Sequence, residues 1–141
     1  MMRTSSQTLR ALLPFGILGA MAVTLVGSSW YDAAIFDETA HIAAGYTYVR
    51  YGDYRFNPEH PPLIKDLAAL PLLFFRNLTF PTGSDAWNSP DVNSRQFEQG
   101  HRFLYHSGND ADRILFAMRV PVMLLSLLVG MVLWGVKLIN E

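Results

Sequence analysis

Six side chains in this sequence have the types and spacing to do chemistry. Asp37 and Glu38 are adjacent, His41 follows within one helical turn, His60 and Lys65 border a proline-rich stretch, and Arg119 stands far along the chain. A carboxylate can act as general base on a hydroxyl. As i, i+4 and i, i+3 pairs on a helix, either Asp37 or Glu38 can contact His41. Consecutive helical positions point about 100° apart, so the two carboxylates need not share a site. Glu38-x-x-His41 is also half of a carboxylate metal site. Its other half is missing, with His60, His101 and His106 as distant candidates, and no metal is expected. A polar helix face turned to water accounts for the same residues. Lys65 offers a point charge for a phosphate, near a helix N-terminus that attracts anions. It serves equally well as a snorkelling anchor at headgroup level. Arg119 lies one turn inside an apolar run and should face protein or a polar ligand.

The elements that must position these groups follow from where the apolar residues sit. Of the 141 residues, 50% are hydrophobic and 16% charged, against about 25% charged in an ordinary soluble domain. Residues 11–30 carry no charge and as a helix would cross a bilayer core. A second apolar stretch covers 114–138, with Arg119 and Lys137 bracketing its uncharged centre. The expected architecture is therefore all-α and membrane-embedded: two transmembrane helices flanking a large external loop, 31–112, with interfacial amphipathic helices. Gly27-Ser28-Ser29 after the first apolar run also fits a signal-peptidase site, the rival reading of that segment.

Arg3 and Arg10 precede the first span and no Lys or Arg follows until Arg50. This places both termini in the cytoplasm and the loop outside. Arg113 and Arg119 on the loop side of the second span go against that rule and need another explanation, such as a function. Net charge is −1, which excludes the strongly basic profile of a nucleic-acid binder. There is no cysteine, hence no disulfide framework and no thiolate metal site.

Within the loop, residues 32–51 read as a helix stopped by Gly52-Asp53. The prolines of Asn57-Pro58-Glu59-His60-Pro61-Pro62 push the residues before them to extended geometry. Pro61 and Pro62 suit the start of a helix over 63–75, with Leu63, Leu67, Leu70 and Phe74 on one stripe and Pro71 bending or ending it. That segment is too short to span and too apolar for water, which suggests the membrane interface. Residues 95–106 suggest another short amphipathic helix, and Asn109 or Asp110 can cap the last one. Trp30, Tyr46, Tyr48, Tyr51 and Tyr54 suit interface anchors or the lining of a sugar or lipid groove. Asn77-Leu78-Thr79 fits a glycosylation acceptor.

Phe36-Asp37-Glu38-Thr39-Ala40-His41, Gly45-Tyr46, Gly52-Asp53-Tyr54 and Asn57-Pro58-Glu59-His60-Pro61-Pro62-Leu63-Ile64-Lys65 stand in order within about 30 residues. This series resembles the N-terminal part of the polyprenyl-phosphate-sugar-dependent glycosyltransferases of the C superfold. The protein O-mannosyltransferases and lipid A aminoarabinose transferases are the nearest groups. Ala117-Met118-Arg119-Val120-Pro121 resembles the start of their second span.

The resemblance implies transfer of a sugar, with inversion, from a lipid-linked sugar donor (a polyprenyl phosphate) to an acceptor hydroxyl on a protein, lipid or glycan. It implies Asp37 as general base, Glu38 as its acidic neighbour, and Lys65 and Arg119 near the donor phosphate. His41 and His60 belong to the motif without an assigned role. No cofactor is needed, because the phosphate carrier is itself the leaving group. The location implied is a bacterial inner (plasma) membrane, multi-pass, with the active loop outside. Members of this family have many more spans, so the expectation is a fragment or truncated product, inactive alone. The rival functions are a small two-span interaction protein without catalysis, and a two-span metalloprotein built on Glu38, His41 and His60.

Overall fold

The computed structural model describes residues 5–140, with side chains over 12–30 and 32–139. Arg3 and the side chain of Arg10, the N-terminal basic flank, lie outside the described residues. All regular elements among the described residues are helical: α1 (Ser5–Tyr31), α2 (Phe36–Tyr51), α3 (Leu63–Ala69), α4 (Asp85–Asn88), α5 (Gln99–Tyr105) and α6 (Ala111–Asn140). The chain divides into two compact units, 1–30 with 123–141, and 31–122.

In the first unit, Leu12–Trp30 of α1 and the apolar length Ala111–Ile139, most of which lies here, are each long and apolar enough to cross a membrane. Both helices contain a proline, Pro14 and Pro121. Ser29 Oγ donates to Met123 Sδ at 3.7 Å. Leu18 lies over Gly130, where an added Cβ would come within 2.7 Å of the leucine side chain. Their outward faces carry exposed Leu, Val, Ile and Phe, the pattern of segments whose solvent is lipid.

The second unit is built around α2. Ala40 and every residue of 42–48 are buried, so this helix is enclosed by protein rather than presenting one stripe to a surface. Glycine makes that enclosure possible: a Cβ on Gly45 would stand 2.6 Å from the Lys65 carbonyl oxygen. Backbone of α3 thus lies directly on α2. Gly100 of α5 packs in the same way against the Thr39 backbone. The core joins Ile42, Ala43 and Tyr46 to Ala68, Ala69, Leu72, Phe80, Phe103, Leu104, Ile114, Leu115 and Met118. Tyr46 stacks on Phe103 and Phe80 with ring centroids 5.1 and 5.5 Å apart, a geometry worth about 0.5–1.5 kcal/mol per pair beyond area burial.

Several element ends differ from the sequence expectation, each for a local reason. Helix α2 begins at Phe36 rather than at residue 32, because the Asp32 and Ala33 carbonyls turn to the Arg119 guanidinium. It stops at Gly52, whose φ of +64° closes the helix with hydrogen bonds to the Thr47 and Tyr48 carbonyls. The helix expected over 63–75 is α-helical only to Ala69 and continues as a 3₁₀ turn, Leu70–Phe74. Pro71 has no N–H for the α-helical ladder. Residues 94–98 form a wide π turn before α5. Asp110 caps α6 by accepting from Arg113 N at 3.1 Å, while Asn109 ties Thr79 to Phe103. Asn57 is not extended: it takes φ +49°, a left-handed conformation that asparagine tolerates better than most residues.

Candidate functional site

The first turn of α2 carries Asp37 and Glu38, and the two acquire different environments. Glu38 occupies the third helical position, where its carboxylate reaches back to the Ile35 N–H at 3.3 Å, as a capping glutamate does. The same carboxylate receives Arg119 as a fork, Nε to Oε1 and Nη2 to Oε2, both at 2.7 Å. Arg119 also donates to the Asp32 and Ala33 carbonyls at 2.9 and 3.2 Å. Glu38 therefore accepts both from the helix start and from a cation, and its side chain is largely covered. Asp37 is exposed and has no hydrogen-bond or ion-pair partner among the described residues.

One turn further along α2, His41 is half-buried. Its Nδ1 lies 3.1 Å from Asn57 Oδ1, and its ring meets the His60 ring edge-on with centroids 5.3 Å apart. Its pKa lies below the ordinary histidine value, chiefly through burial, then through the Lys65 and His60 charges; the Asn57 hydrogen bond and Asp37 oppose this.

Lys65 is only 5% exposed. Its ammonium donates to Asn57 Oδ1 at 2.7 Å, Asn57 O at 2.9 Å, His60 O at 3.0 Å and Tyr48 Oη at 3.2 Å. An ammonium has three hydrogens for these four acceptors, so Lys65 is committed to holding the 57–60 turn. Burial lowers its pKa, opposed by Glu59 and Asp66. The Tyr48 hydroxyl, which donates to the Phe56 carbonyl, is pushed up to about 12, by burial first and by the Asp66 and Glu59 charges next.

The site thus brings Asp37, Glu38, His41, His60, Lys65 and Arg119 into one unit of the chain. Both cations named for the phosphate are engaged by protein groups. Asn57, Gln96 and Glu59 carry as much of the geometry, though none was singled out as a site residue. Asn57 Nδ2 donates to Gln96 Oε1 at 2.7 Å, and Gln96 Nε2 donates to Glu59 Oε1 at 3.0 Å. The one available signal was an asparagine at the mouth of a proline-rich turn. Gln96 sits in the π turn, which no periodicity marks. Among the described residues no three His, Asp or Glu converge on a metal-sized site.

Comparison with protein-family models, with curated proteins and with solved structures finds no match to this chain. Residues and geometry alone therefore carry the functional reading.

Proposed function

We propose that this chain is the donor-side, N-terminal part of a membrane glycosyltransferase. The enzyme moves a sugar from a polyprenyl-phosphate carrier to an acceptor hydroxyl, with inversion, at the external face of a plasma membrane. The observation that carries this reading is the division of labour between Asp37 and Glu38. A bidentate arginine holds Glu38, while Asp37 stands open to solvent one turn before His41, whose ring meets that of His60. A general base must be accessible to the hydroxyl it serves, and Asp37 is exposed on a helix whose first turn is clamped through Glu38.

In the proposed step Asp37 takes the proton of the acceptor hydroxyl while that oxygen bonds to the anomeric carbon. The carbon–phosphate-oxygen bond breaks, and its electron pair leaves on the polyprenyl phosphate. Lys65 and Arg119 contribute positive charge near the leaving group; Lys65 does so from within the turn it holds. Leu63, Ile64, Leu70, Leu73 and Phe74 leave an exposed apolar edge on α3 and the turn after it, with Phe74 at 86%. This edge suits a helix resting at the bilayer interface, where a lipid-linked donor arrives.

The test is sugar transfer from a synthetic polyprenyl-phosphate sugar by membranes holding the protein expressed from its complete reading frame. Loss of transfer in Asp37→Asn at matched insertion supports the reading, and near-normal turnover in that variant removes Asp37 as base.

A further inference from the structure

The hydrogen-bond network around Asn57 fixes a proton on His41. An ammonium only donates, so the Asn57 atom 2.7 Å from Lys65 Nζ is the amide oxygen. A carboxylate only accepts, so the Gln96 atom 3.0 Å from Glu59 is the amide nitrogen. Gln96 Oε1 then faces Asn57 Nδ2 at 2.7 Å. The two ends set one consistent direction, Lys65 to Asn57 to Gln96 to Glu59. His41 Nδ1 lies 3.1 Å from the same Asn57 oxygen. That oxygen can only accept, so Nδ1 carries hydrogen.

In a neutral imidazole a hydrogen on Nδ1 leaves Nε2 as a bare lone pair. His41 is biased to the neutral ring by burial and by the nearby Lys65 and His60 charges. The two ring nitrogens face different directions, so with Nδ1 turned to the Asn57 loop, Nε2 faces away from it. Nε2 has no protein partner among the described residues, and it is not among the buried polar atoms left unpaired. His41 thus presents a fixed acceptor to the exterior, one helical turn from Asp37 and edge-on to His60.

We propose that His41 Nε2 is a hydroxyl-binding position, accepting a hydrogen bond from a sugar or acceptor hydroxyl held beside Asp37. The identity of the hydroxyl rests on the glycosyltransferase reading; the tautomer does not. A residue doing this selects hydroxylated ligands by acceptance, whereas Asp37 takes the proton.

Nitrogen-15 NMR of histidine-labelled protein in a detergent without hydroxyl groups reads both nitrogens directly. The expected spectrum shows a protonated Nδ1 and an unprotonated Nε2 for His41 at neutral pH. Two probes separate the source of the hydroxyl: methyl α-D-mannopyranoside and undecaprenyl-phosphate mannose. Either should move the Nε2 resonance and leave Nδ1 in place. An Nε2–H tautomer overturns the inference, as does an Nε2 resonance that neither probe moves. His41→Asn keeps an amide donor where Nδ1 stood and deletes Nε2. Its folded spectrum should persist while KM for transfer rises about tenfold, the loss of one hydrogen bond. Asp37→Asn should cut transfer by about 10²–10⁴-fold yet keep the His41 tautomer and its probe response. Transfer absent from the unaltered protein with that response intact would remove the enzyme reading and leave the hydroxyl position standing.

Discussion

Arg119 and Glu38, 81 residues apart, meet fork to fork at 2.7 Å on both arms. The pair ties the third turn of α6 to the start of α2 and leaves Asp37 as the open member of the acidic pair. It also supplies a reason for an arginine on the loop side of an apolar span. Arg119 is engaged by a carboxylate and two backbone carbonyls.

The chemical consequence is an asymmetry between neighbouring substitutions. Asp37→Asn keeps size and an acceptor oxygen but cannot take a proton. Transfer should fall by about 10²–10⁴-fold, the usual worth of general-base catalysis. Glu38→Gln keeps the backbone contact and loses the charge opposite Arg119, so it should chiefly lower stability, with a smaller loss of turnover. The check is transfer by both variants at matched expression. Equal turnover losses at unchanged stability would reverse the assignment.

Arg119→Ala should be the more damaging change to the fold. It strips Glu38 of its cation and leaves the Asp32 and Ala33 carbonyls without their donor. Removing one partner of a buried pair costs about 3–5 kcal/mol, and partial exposure puts this pair near the lower figure. Arg119→Lys should recover only part of the loss, because an ammonium cannot match both carboxylate oxygens. Thermal unfolding of the two variants in one detergent measures both effects.

The long apolar helices were legible in the sequence because lipid imposes length and composition without reference to any partner. The turn at Gly52, the break at Pro71 and the Asp110 cap were legible for local reasons of backbone geometry. Long-range pairing was not. Ile35, Phe36, Ile42, Ala43, Tyr46 and Val49 make only a rough apolar stripe, yet all of 42–48 is buried, because Gly45 and Gly100 admit neighbouring backbones that periodicity cannot foresee. From its position Lys65 suits a point charge for a phosphate or a snorkelling anchor at headgroup level. Only the fold of residues 57–60 around its ammonium reveals it as a buried staple.

That close approach at Gly45 is testable. Gly45→Ala places a methyl against the Lys65 carbonyl oxygen, and backbone cannot move aside as a flexible side chain can. A cost of about 1–3 kcal/mol is expected, typical of overpacking. Helix propensity alone would favour alanine by about 1 kcal/mol. A thermal midpoint that falls shows packing winning over propensity. A midpoint that rises would mean that α3 is not seated on α2 as described.

Topology can be read chemically, since the chain has no cysteine of its own. Thr82→Cys, at an exposed position in the 31–122 unit, should react with an impermeant thiol reagent in intact cells. Ser5→Cys and Asn140→Cys should react only after lysis. The reverse labelling would place the Asp37 site on the cytoplasmic face and sever it from an external acceptor.

The pH dependence of stability should carry a signature of His41. Its folded pKa lies below the ordinary value of about 6.5 that the unfolded chain regains; burial is the first cause, then the Lys65 and His60 charges. Between the folded value and about 6.5 the unfolded chain binds more protons, so stability rises with pH across that window. Stability is therefore full above about 6.5, falls as pH drops toward the folded value, and levels off below it. Protonation would also turn Nε2 from acceptor to donor, so hydroxyl binding should weaken over the same window. The difference from a variant that lacks the imidazole is the informative quantity. In His41→Asn the corresponding part of the slope should vanish, leaving a flatter profile below about pH 6.5. Thermal unfolding of both proteins across that range supplies the comparison. Superimposable slopes would show that His41 keeps its ordinary affinity for protons and that burial beside Lys65 does not hold it neutral.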